Sequence, residues 1–384
     1  MASFPQTATD ILTSEQAQTA AQRLSSSGEL AIDVEADAMH AFHARLCFVQ
    51  VGTDEDIFLF DTLSPGVDAG LLAPLCADPT RTKYFHAAGG DLQFLAEAGV
   101  RVQGLFDTHR AATLLGWPKV GLADLVRDEF QLELAKEHQQ ADFSIRPVPT
   151  EMRAYIADDV RYLVHIGRKV RAACLAADIL EEVLLDCQRM SDDAAARPDQ
   201  AGAFRPKLPK NQLSPNQFAL AHATTLILHR KRLEWAEAEN IPMGRMLSNA
   251  AIHAIALKPP GNARELVKLE GVRGAFVREH GDEVLALLKD LIVKSRAGEL
   301  APPEEKPGDR DPTRKKREDA LKVFRSAKAT ERKVTQSVIL TNPLVDELSR
   351  RPPASMEALA AIPYFGEKRV RLYGAALLDL LGKV

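Results

Sequence analysis

The sequence predicts an α/β domain with a mixed sheet flanked by helices, followed by two all-α domains. Three observations support this fold class. Strand-like and helix-like segments alternate over residues ~25–110, helical periodicity dominates from ~120 to ~190, and a helical segment of about 75 residues occurs twice in the C-terminal half. Strands that come first and helices that cover them are typical of one α/β domain.

Short apolar runs predict the strands of the α/β domain. Three consecutive strands are expected at "LAIDVEA", "ARLCFVQVG" and "DIFLFDT", and a short fourth at "KYFHAA". The helical "GGDLQFLAEAG" follows the fourth strand, and "LFDTHRAATLLG" begins a further strand-to-helix step. A long helical stretch begins after Pro149, a residue that suits a helix start.

Two stretches rich in proline and charge are interpreted as linkers. The first, "SDDAAARPDQAGAFRPKLPKNQLSP", begins at Ser191, and the second, "RAGELAPPEEKPGDRDPTRKKR", begins at Arg296. The predicted domains are therefore residues 1–190, 213–295 and 313–384, with linkers at 191–212 and 296–312.

An internal repeat occupies the two C-terminal domains. A constant offset of 93 aligns Asn249 with Asn342 without a gap, and the same offset pairs apolar positions at helical spacing. The paired positions include Ile252 with Val345, Ile255 with Leu348, Leu266 with Leu359 and Gly281 with Gly374. Such a repeat indicates two copies of one small helical unit.

Composition indicates a globular chain and excludes several classes of protein. The 384 residues are 46% hydrophobic and 27% charged. No apolar run approaches the ~18 residues of a membrane span, and the N-terminal segment does not match a secretory signal. The four scattered cysteines form no C-x-x-C pair, which disfavours disulfides and structural zinc. We therefore expect a cytoplasmic protein that has no contact with membranes.

Charge is divided unevenly along the chain. Residues 1–200 contain 17 basic and 31 acidic side chains, a net charge of −14, whereas residues 201–384 contain 32 and 22, a net charge of +10. An acidic first half and a basic second half suit a metal-dependent catalytic domain joined to a region that attracts a polyanion. Ordinary surface charge would give the same count.

Acidic residues interrupt the first predicted strand in an alternating pattern. In "LAIDVEAD", Asp33, Glu35 and Asp37 occupy every second position and would share one face of the strand. Burial of such carboxylates raises their pKa values and costs stability unless a cation is bound. Asp37 is interpreted as a surface residue at the strand end.

Two further segments supply groups that could complete a metal site. Asp91 follows two glycines near a helix start, and Tyr155 and Asp159 lie four residues apart on one helix face. Mg²⁺ and Mn²⁺ take oxygen ligands from a few carboxylates. Two such ions ~3.5–4 Å apart can bind both oxygens of a phosphoryl displacement, and Tyr155 could orient the attacking water.

These segments resemble the motifs of bacterial ribonuclease D, in the tyrosine subtype of the DEDD exonuclease superfamily. "AIDVEA" is similar to the first motif, "HAAGGDLQFL" to the second and "YIADDVRYL" to the third. The flanking "RLCFVQVG", "LFDTHRAATLLG" and "DFSIRPV" agree as well, and the helical repeats resemble tandem HRDC domains. The resemblance covers nearly the whole chain.

The resemblance implies a ribonuclease H-like fold and a 3′→5′ exoribonuclease that releases nucleoside 5′-monophosphates with two divalent ions, Mg²⁺ or Mn²⁺. Asp33, Glu35, Asp91 and Asp159 would take the four carboxylate roles, and Tyr155 would orient water. The implied substrates are tRNA precursors and other structured RNAs with 3′ extensions, and we expect a monomer.

The first motif departs from the family pattern at two positions. The family often has Thr between the acids and an aromatic residue after Glu, where this chain has Val34 and Ala36. An aromatic contact to the terminal nucleotide is therefore lost or supplied elsewhere. Candidate replacements are Phe42, Phe94 and Phe143, for each of which core packing is the preferred interpretation.

Four residues are weaker candidates for RNA contacts. Lys136 and Arg146 precede the third motif and could bind phosphate, although structural pairing explains them equally well. Tyr364 and Lys368 lie in an aromatic and basic cluster of the second repeat.

Two other functions remain open from the sequence. A DNA 3′→5′ exonuclease would use the same metal chemistry. A catalytically inactive nucleic-acid-binding protein would have lost a carboxylate, yet all four are present.

Overall fold

A computed structural model describes residues 4–134, 140–196, 208–300 and 311–384. The chain forms two compact units. The first comprises Met1–Ala36, Leu46–Arg197 and Asp309–Val384, and the second comprises Asp37–Arg45 and Pro198–Gly308. The α/β domain and the second helical repeat therefore belong to one unit, and the first helical repeat belongs to the other.

A six-stranded mixed sheet lies in the first unit. Its strands are β1 (Thr9–Ile11), β2 (Glu29–Ala36), β3 (Leu46–Gly52), β4 (Ile57–Asp61), β5 (Thr82–Phe85) and β6 (Leu105–Asp107). They are arranged in the order β1-β4-β3-β2-β5-β6. β3 is antiparallel to β2 and β4, and the other pairs are parallel. The sheet and its flanking helices confirm the predicted fold class, although the three-residue β1 was not predicted.

Eight helices accompany the sheet among the described residues of this domain. They are α1 (Ser14–Leu24), α2 (Ala73–Ala77), α3 (Asp91–Glu97), α4 (Thr108–Leu115), α5 (Leu122–Phe130), α6 (Thr150–Arg161), α7 (Leu163–Ala176) and α8 (Leu180–Ala196). The α8 helix extends past the predicted start of the linker at residue 191. Ser191 is buried within it and donates a hydrogen bond to the Val102 carbonyl, so the α/β domain ends later than predicted.

A glycine at the end of β3 allows α6 to lie directly on the sheet. A Cβ atom added at Gly52 would lie 2.9 Å from the Val160 carbonyl oxygen, too close for any side chain. The same contact brings the helix that carries Tyr155 and Asp159 against the strands.

The two helical repeats have matching elements. The first contains α9 (Pro215–Ala238), α10 (Met243–Met246), α11 (Asn249–Leu257), α12 (Ala263–Leu266) and α13 (Gly274–Arg296). The second contains α14 (Arg314–Arg332), α15 (Gln336–Ile339), α16 (Asn342–Arg350), α17 (Met356–Ala360) and α18 (Glu367–Gly382). Arg232 donates to the side chain of Asn249, and Arg325 makes the equivalent contact to Asn342. The predicted repeat is therefore present in three dimensions.

Within the ranges that the structure describes, no helix combines the length and apolar character needed to cross a membrane.

The second repeat contacts α8 and the turn before it through charged side chains within the first unit. Lys368 Nζ lies 3.3 Å from a carboxylate oxygen of Glu182 and 2.9 Å from one of Asp178. Arg332 lies 3.3 Å from the other Glu182 oxygen. Glu182 is 1% exposed and Lys368 is 6% exposed. We call these four residues the docking face, because they join the repeat to the α/β domain.

Candidate active site

Carboxylates from β2 and α6 converge on one face of the sheet. Asp33 and Glu35 alternate with buried apolar residues of β2, and the pairing register shifts between Glu35 and Ala36 at the strand end. One carboxylate oxygen from each of Asp33, Glu35 and Asp159 lies within 4.8 Å of the others. The structure therefore brings together three acids that are up to 126 residues apart in the sequence (33 to 159).

Tyr155 lies one helical turn before Asp159 on α6. Its hydroxyl hydrogen-bonds the Asp159 carboxylate, and its ring stacks near Phe143 with centroids 6.4 Å apart. The neighbouring Asp158 is instead paired with Arg161, at 2.6 Å between Oδ1 and Nε. The helical spacing thus directs Tyr155 and Asp159, but not Asp158, toward the β2 acids.

Asp91 begins α3 and adds a fourth carboxylate. Its charge acts on Glu35, and the charges of Asp33 and Asp159 act on it, so it belongs to the same electrostatic group. The sequence analysis missed Asp107, whose carboxylate accepts hydrogen bonds from the backbone N–H groups of Ala87 and Ala88, at 3.2 and 2.8 Å. Asp107 thereby fixes the loop that leads to Asp91. The sequence could have indicated Asp107, because it is the acidic residue of "LFDT", where the predicted strand ends and the helix begins.

We call Asp33, Glu35, Asp91 and Asp159 the carboxylate site. None of the four forms an ion pair with Lys, Arg or His within the described ranges. Burial raises the pKa of Asp33 to about 7. Burial, and then the charges of Asp33, Asp159 and Asp91, raise the pKa of Glu35 to about 10. The pKa values of Asp91 and Asp159 are also raised, chiefly by burial.

The donor set fits a divalent metal ion. Asp159 Oδ2 is buried and has no hydrogen-bond partner within the ranges described, so a ligand oxygen is left unused. Carboxylate oxygens at this spacing suit Mg²⁺ or Mn²⁺. A bound cation would supply the positive charge that this group of acids lacks.

The two predicted phosphate contacts near the third motif have different outcomes. Arg146 forms a bidentate pair with Asp61, with both contacts at 2.7 Å, and its guanidinium lies 4.4 Å from the Phe48 ring centroid. Its guanidinium is therefore held by Asp61, as the alternative of structural pairing expects. Lys136 lies outside the described residues.

The two predicted RNA contacts of the second repeat are engaged inside the first unit. Lys368 belongs to the docking face and is nearly inaccessible. The Tyr364 hydroxyl donates to Asp192 Oδ2 at 2.8 Å. Lys368 is therefore unavailable at the surface, whereas the half-buried Tyr364 stays a predicted RNA contact. Sequence spacing showed the cluster but could not show that α8 contacts it.

Two other sequence expectations can be compared with the structure. Asp37 is 1% exposed and accepts a hydrogen bond from Arg45 Nε at 2.8 Å, so its prediction as a surface residue is wrong. Phe143 is buried, Phe94 packs partly buried against the main core, and Phe42 packs in the core of the second unit. Core packing is therefore observed for all three aromatic side chains.

Comparisons with known proteins match this combination of domains. The 3′-5′ exonuclease family matches residues 9–173, and the HRDC domain family matches residues 226–288 and 314–381. Ribonuclease D of Gluconacetobacter diazotrophicus is 28% identical over 96% of this chain and 93% of its own. Ribonuclease D of Acidiphilium cryptum is 27% identical over 98% and 95%. Over nearly its whole length, this chain is therefore similar to bacterial ribonuclease D.

A solved structure supports the same fold over the full length. The crystal structure of Escherichia coli RNase D covers 98% of this chain and 99% of its own, with a TM-score of 0.69 and 23% identity. The two HRDC matches coincide with the two helical repeats, which we call the first and second HRDC domains from here on. The carboxylate site lies within the exonuclease match.

Proposed function

We propose that this ribonuclease D homologue is a 3′→5′ exoribonuclease that hydrolyses RNA from its 3′ end to nucleoside 5′-monophosphates. One observation carries the proposal. The oxygens of Asp33, Glu35 and Asp159 lie within 4.8 Å of one another without a neutralising cation among the described residues, inside a region that matches 3′-5′ exonucleases.

The four acids of the carboxylate site would hold two divalent ions, Mg²⁺ or Mn²⁺. Such ions, when bound, stabilise the attacking and leaving oxygens of an in-line displacement. Asp33, Glu35 and Asp159 are close enough to share a ligand, and the unused Asp159 Oδ2 offers a further ligand atom. Asp91, fixed by its loop and α3, would complete the set.

Tyr155 would orient the attacking water. Burial, and then the charges of the neighbouring acids, raise the pKa of its hydroxyl, so the group remains protonated near neutral pH. A protonated hydroxyl donates a hydrogen bond but does not accept the proton of the nucleophile. Tyr155 is therefore assigned a positioning role and not that of a general base.

Structured RNAs with 3′ extensions, including tRNA precursors, are the proposed substrates, and the protein would act as a cytoplasmic monomer. The net charge of +10 over residues 201–384 would attract the phosphate backbone. Binding by the HRDC region would raise the local concentration of 3′ ends near the carboxylate site.

Matched RNA and DNA substrates with 3′ overhangs test the proposal directly. The full chain is incubated with each substrate, with and without Mg²⁺ or Mn²⁺, and the products are resolved by length and end chemistry. We expect metal-dependent release of 5′-monophosphates from the 3′ end of the RNA. A stronger activity on DNA would favour the alternative DNA exonuclease, and metal-independent cleavage would contradict the proposed site.

A further inference from the structure

Gln50 is a buried polar residue that the carboxylate chemistry described above does not use. It lies in the middle of β3 and is 0% exposed. Its Nε2 and Oε1 atoms both lack a hydrogen-bond partner within the ranges that the structure describes. A buried amide without partners is costly, and native proteins seldom retain one.

The strand register shows which polar group lies nearest to this amide. Gln50 is directly opposite Asp33 on β2 and Leu59 on β4. Residues paired in this way project from the same face of the sheet, with Cβ atoms about 5 Å apart. Leu59 offers no polar atom, so Asp33 is the one polar side chain of these two facing residues.

Neighbouring residues on β3 separate Gln50 from solvent. Phe48 and Gly52 lie two residues before and after it, on the same face. Phe48 lies under the Arg146 guanidinium, and Gly52 lies against the Val160 backbone of α6. The amide is therefore enclosed beneath the helix that carries Asp159.

We propose that Gln50 is a positioning residue of the carboxylate site: its side-chain amide, which makes no hydrogen bond to the described residues, turns to donate one to Asp33 and holds that carboxylate in its metal-binding orientation. The amide donates most strongly to an ionised carboxylate, which is the form that binds a metal ion. Outer partners of this kind orient ligands and raise metal affinity. The inference rests on the proposed metal site.

Calorimetric titration of Mn²⁺ into the metal-free full chain tests the inference without relying on activity. The variant Gln50→Met keeps the length of the side chain and removes the amide. We expect its Mn²⁺ affinity to fall about 10-fold, while the thermal midpoint of the metal-free protein stays unchanged or rises. In assays, the Mn²⁺ concentration for half-maximal activity should rise by the same factor, with the KM for RNA unchanged.

Thr224→Val provides a matched control. Thr224 is 0% exposed, and its hydroxyl also lacks a partner within the described ranges, but it lies in α9 of the first HRDC domain. Its replacement should leave Mn²⁺ affinity unchanged. Should Gln50→Met fail to fold, Gln50→Leu supplies the same comparison.

The outcomes separate this inference from the proposed function. Equal Mn²⁺ affinity in the wild type and the folded Gln50 variant would overturn the positioning role alone. A wild-type protein that binds no Mn²⁺ would overturn the metal site and the inference together. A KM effect without any change in Mn²⁺ affinity would also contradict the positioning role.

Discussion

Buried acids occur at both the carboxylate site and the docking face, but their surroundings differ. Glu182 of the docking face is paired with Lys368 and Arg332, each at 3.3 Å. Asp33 and Asp159 of the carboxylate site have no such partner within the described ranges, and burial raises their pKa values. Within one compact unit, buried acids are thus neutralised by cations at the docking face and left without them at the carboxylate site.

This difference separates a group retained for chemistry from one retained for assembly. An unpaired buried carboxylate destabilises the folded protein. A paired one does so only when its partner is removed, because the remaining charge is then buried without compensation. Neutralising an acid in the carboxylate site should therefore abolish activity and relieve strain. Neutralising a cation at the docking face should instead lower the free energy of unfolding and leave activity nearly unchanged.

The largest expected effect is that of Asp33→Asn on catalysis. Loss of this ligand should reduce Mg²⁺-dependent hydrolysis of RNA by at least about 1000-fold, since metal ions contribute several kcal/mol to charge stabilisation. RNA binding and the metal-free thermal midpoint should be unchanged or higher. Asp159→Asn should behave alike, and Asp158→Asn is the control because Asp158 pairs with Arg161 instead. Retained hydrolysis in Asp33→Asn would falsify the assignment.

The second prediction concerns the pH dependence of the metal-free protein. The pKa of Asp33 is about 7 in the folded state and near 3.8 when unperturbed, so the folded state binds more protons between these values. Stability is therefore fully present below pH ~4 and falls as the pH rises to 7, by at most about 4 kcal/mol. Glu35, with a pKa of about 10, extends the fall.

Urea denaturation in the presence of a chelator, between pH 4.5 and 7.5, measures this effect. Asp33→Asn should flatten the decline, and Mn²⁺ should reverse it by compensating the ionised acids. A stability that rises with pH across this range, in the chelated wild type, would contradict the raised pKa of Asp33.

The third prediction concerns the loss of an ion pair at the docking face. Lys368→Met leaves the buried Glu182 with Arg332 alone, and should lower the free energy of unfolding by about 3 kcal/mol. Cleavage of short oligonucleotides by the folded fraction should change little, because Lys368 is not part of the carboxylate site. Urea denaturation supplies the measurement.

Exposed charges give the matched comparison for this variant. Lys315 pairs with Asp319, and both side chains are more than half exposed, so Lys315→Met should cost no more than about 0.5 kcal/mol. The double variant Lys368→Met, Glu182→Leu should recover part of the lost stability, because it removes the stranded acid as well. Equal free energies of unfolding for Lys368→Met and Lys315→Met would mean that the Lys368 ion pairs do not stabilise the protein.

The docking face also complicates the removal of the HRDC domains. A chain truncated near Ser191 would lose Lys368 and Arg332, and would leave Glu182 without either partner. Weaker activity of such a truncation could therefore arise from instability alone. Point variants in the full chain distinguish RNA binding from folding more clearly.

Three acids that the structure brings together, Asp33, Glu35 and Asp159, could be selected from the sequence because each lies in a short periodic pattern. Asp33 and Glu35 alternate on a strand, and Tyr155 and Asp159 are one helical turn apart, so short-range periodicity directs their side chains. The internal repeat was equally visible, since its offset of 93 needs no gap.

Contacts between residues far apart in the sequence could not be predicted from short-range periodicity. Lys368 and Tyr364 form a basic and aromatic cluster in sequence, but both hydrogen-bond to α8, more than 160 residues earlier, and Lys368 is buried there. Arg146 likewise finds Asp61 at a separation of 85 residues. Asp37 follows the β2 acids in alternation, yet the register shift at Glu35 and Ala36 ends that pattern before Asp37 is reached.

The smallest expected effects come from two tyrosines that each donate to a carboxylate, Tyr155 to Asp159 and Tyr364 to Asp192. Tyr155→Phe should lower kcat about 10- to 100-fold with little change in stability, because a hydrogen bond to a charged group is worth about 1.5–3 kcal/mol. Tyr364→Phe removes the same atom at an exposed acid, and should cost at most about 1 kcal/mol of stability without affecting kcat. Single-turnover kinetics and urea denaturation of both variants measure the contrast. A matching fall in kcat for the two variants would show that the hydroxyl of Tyr155 has no special role beside the carboxylate site. A loss of RNA affinity in Tyr364→Phe would support the predicted RNA contact of Tyr364.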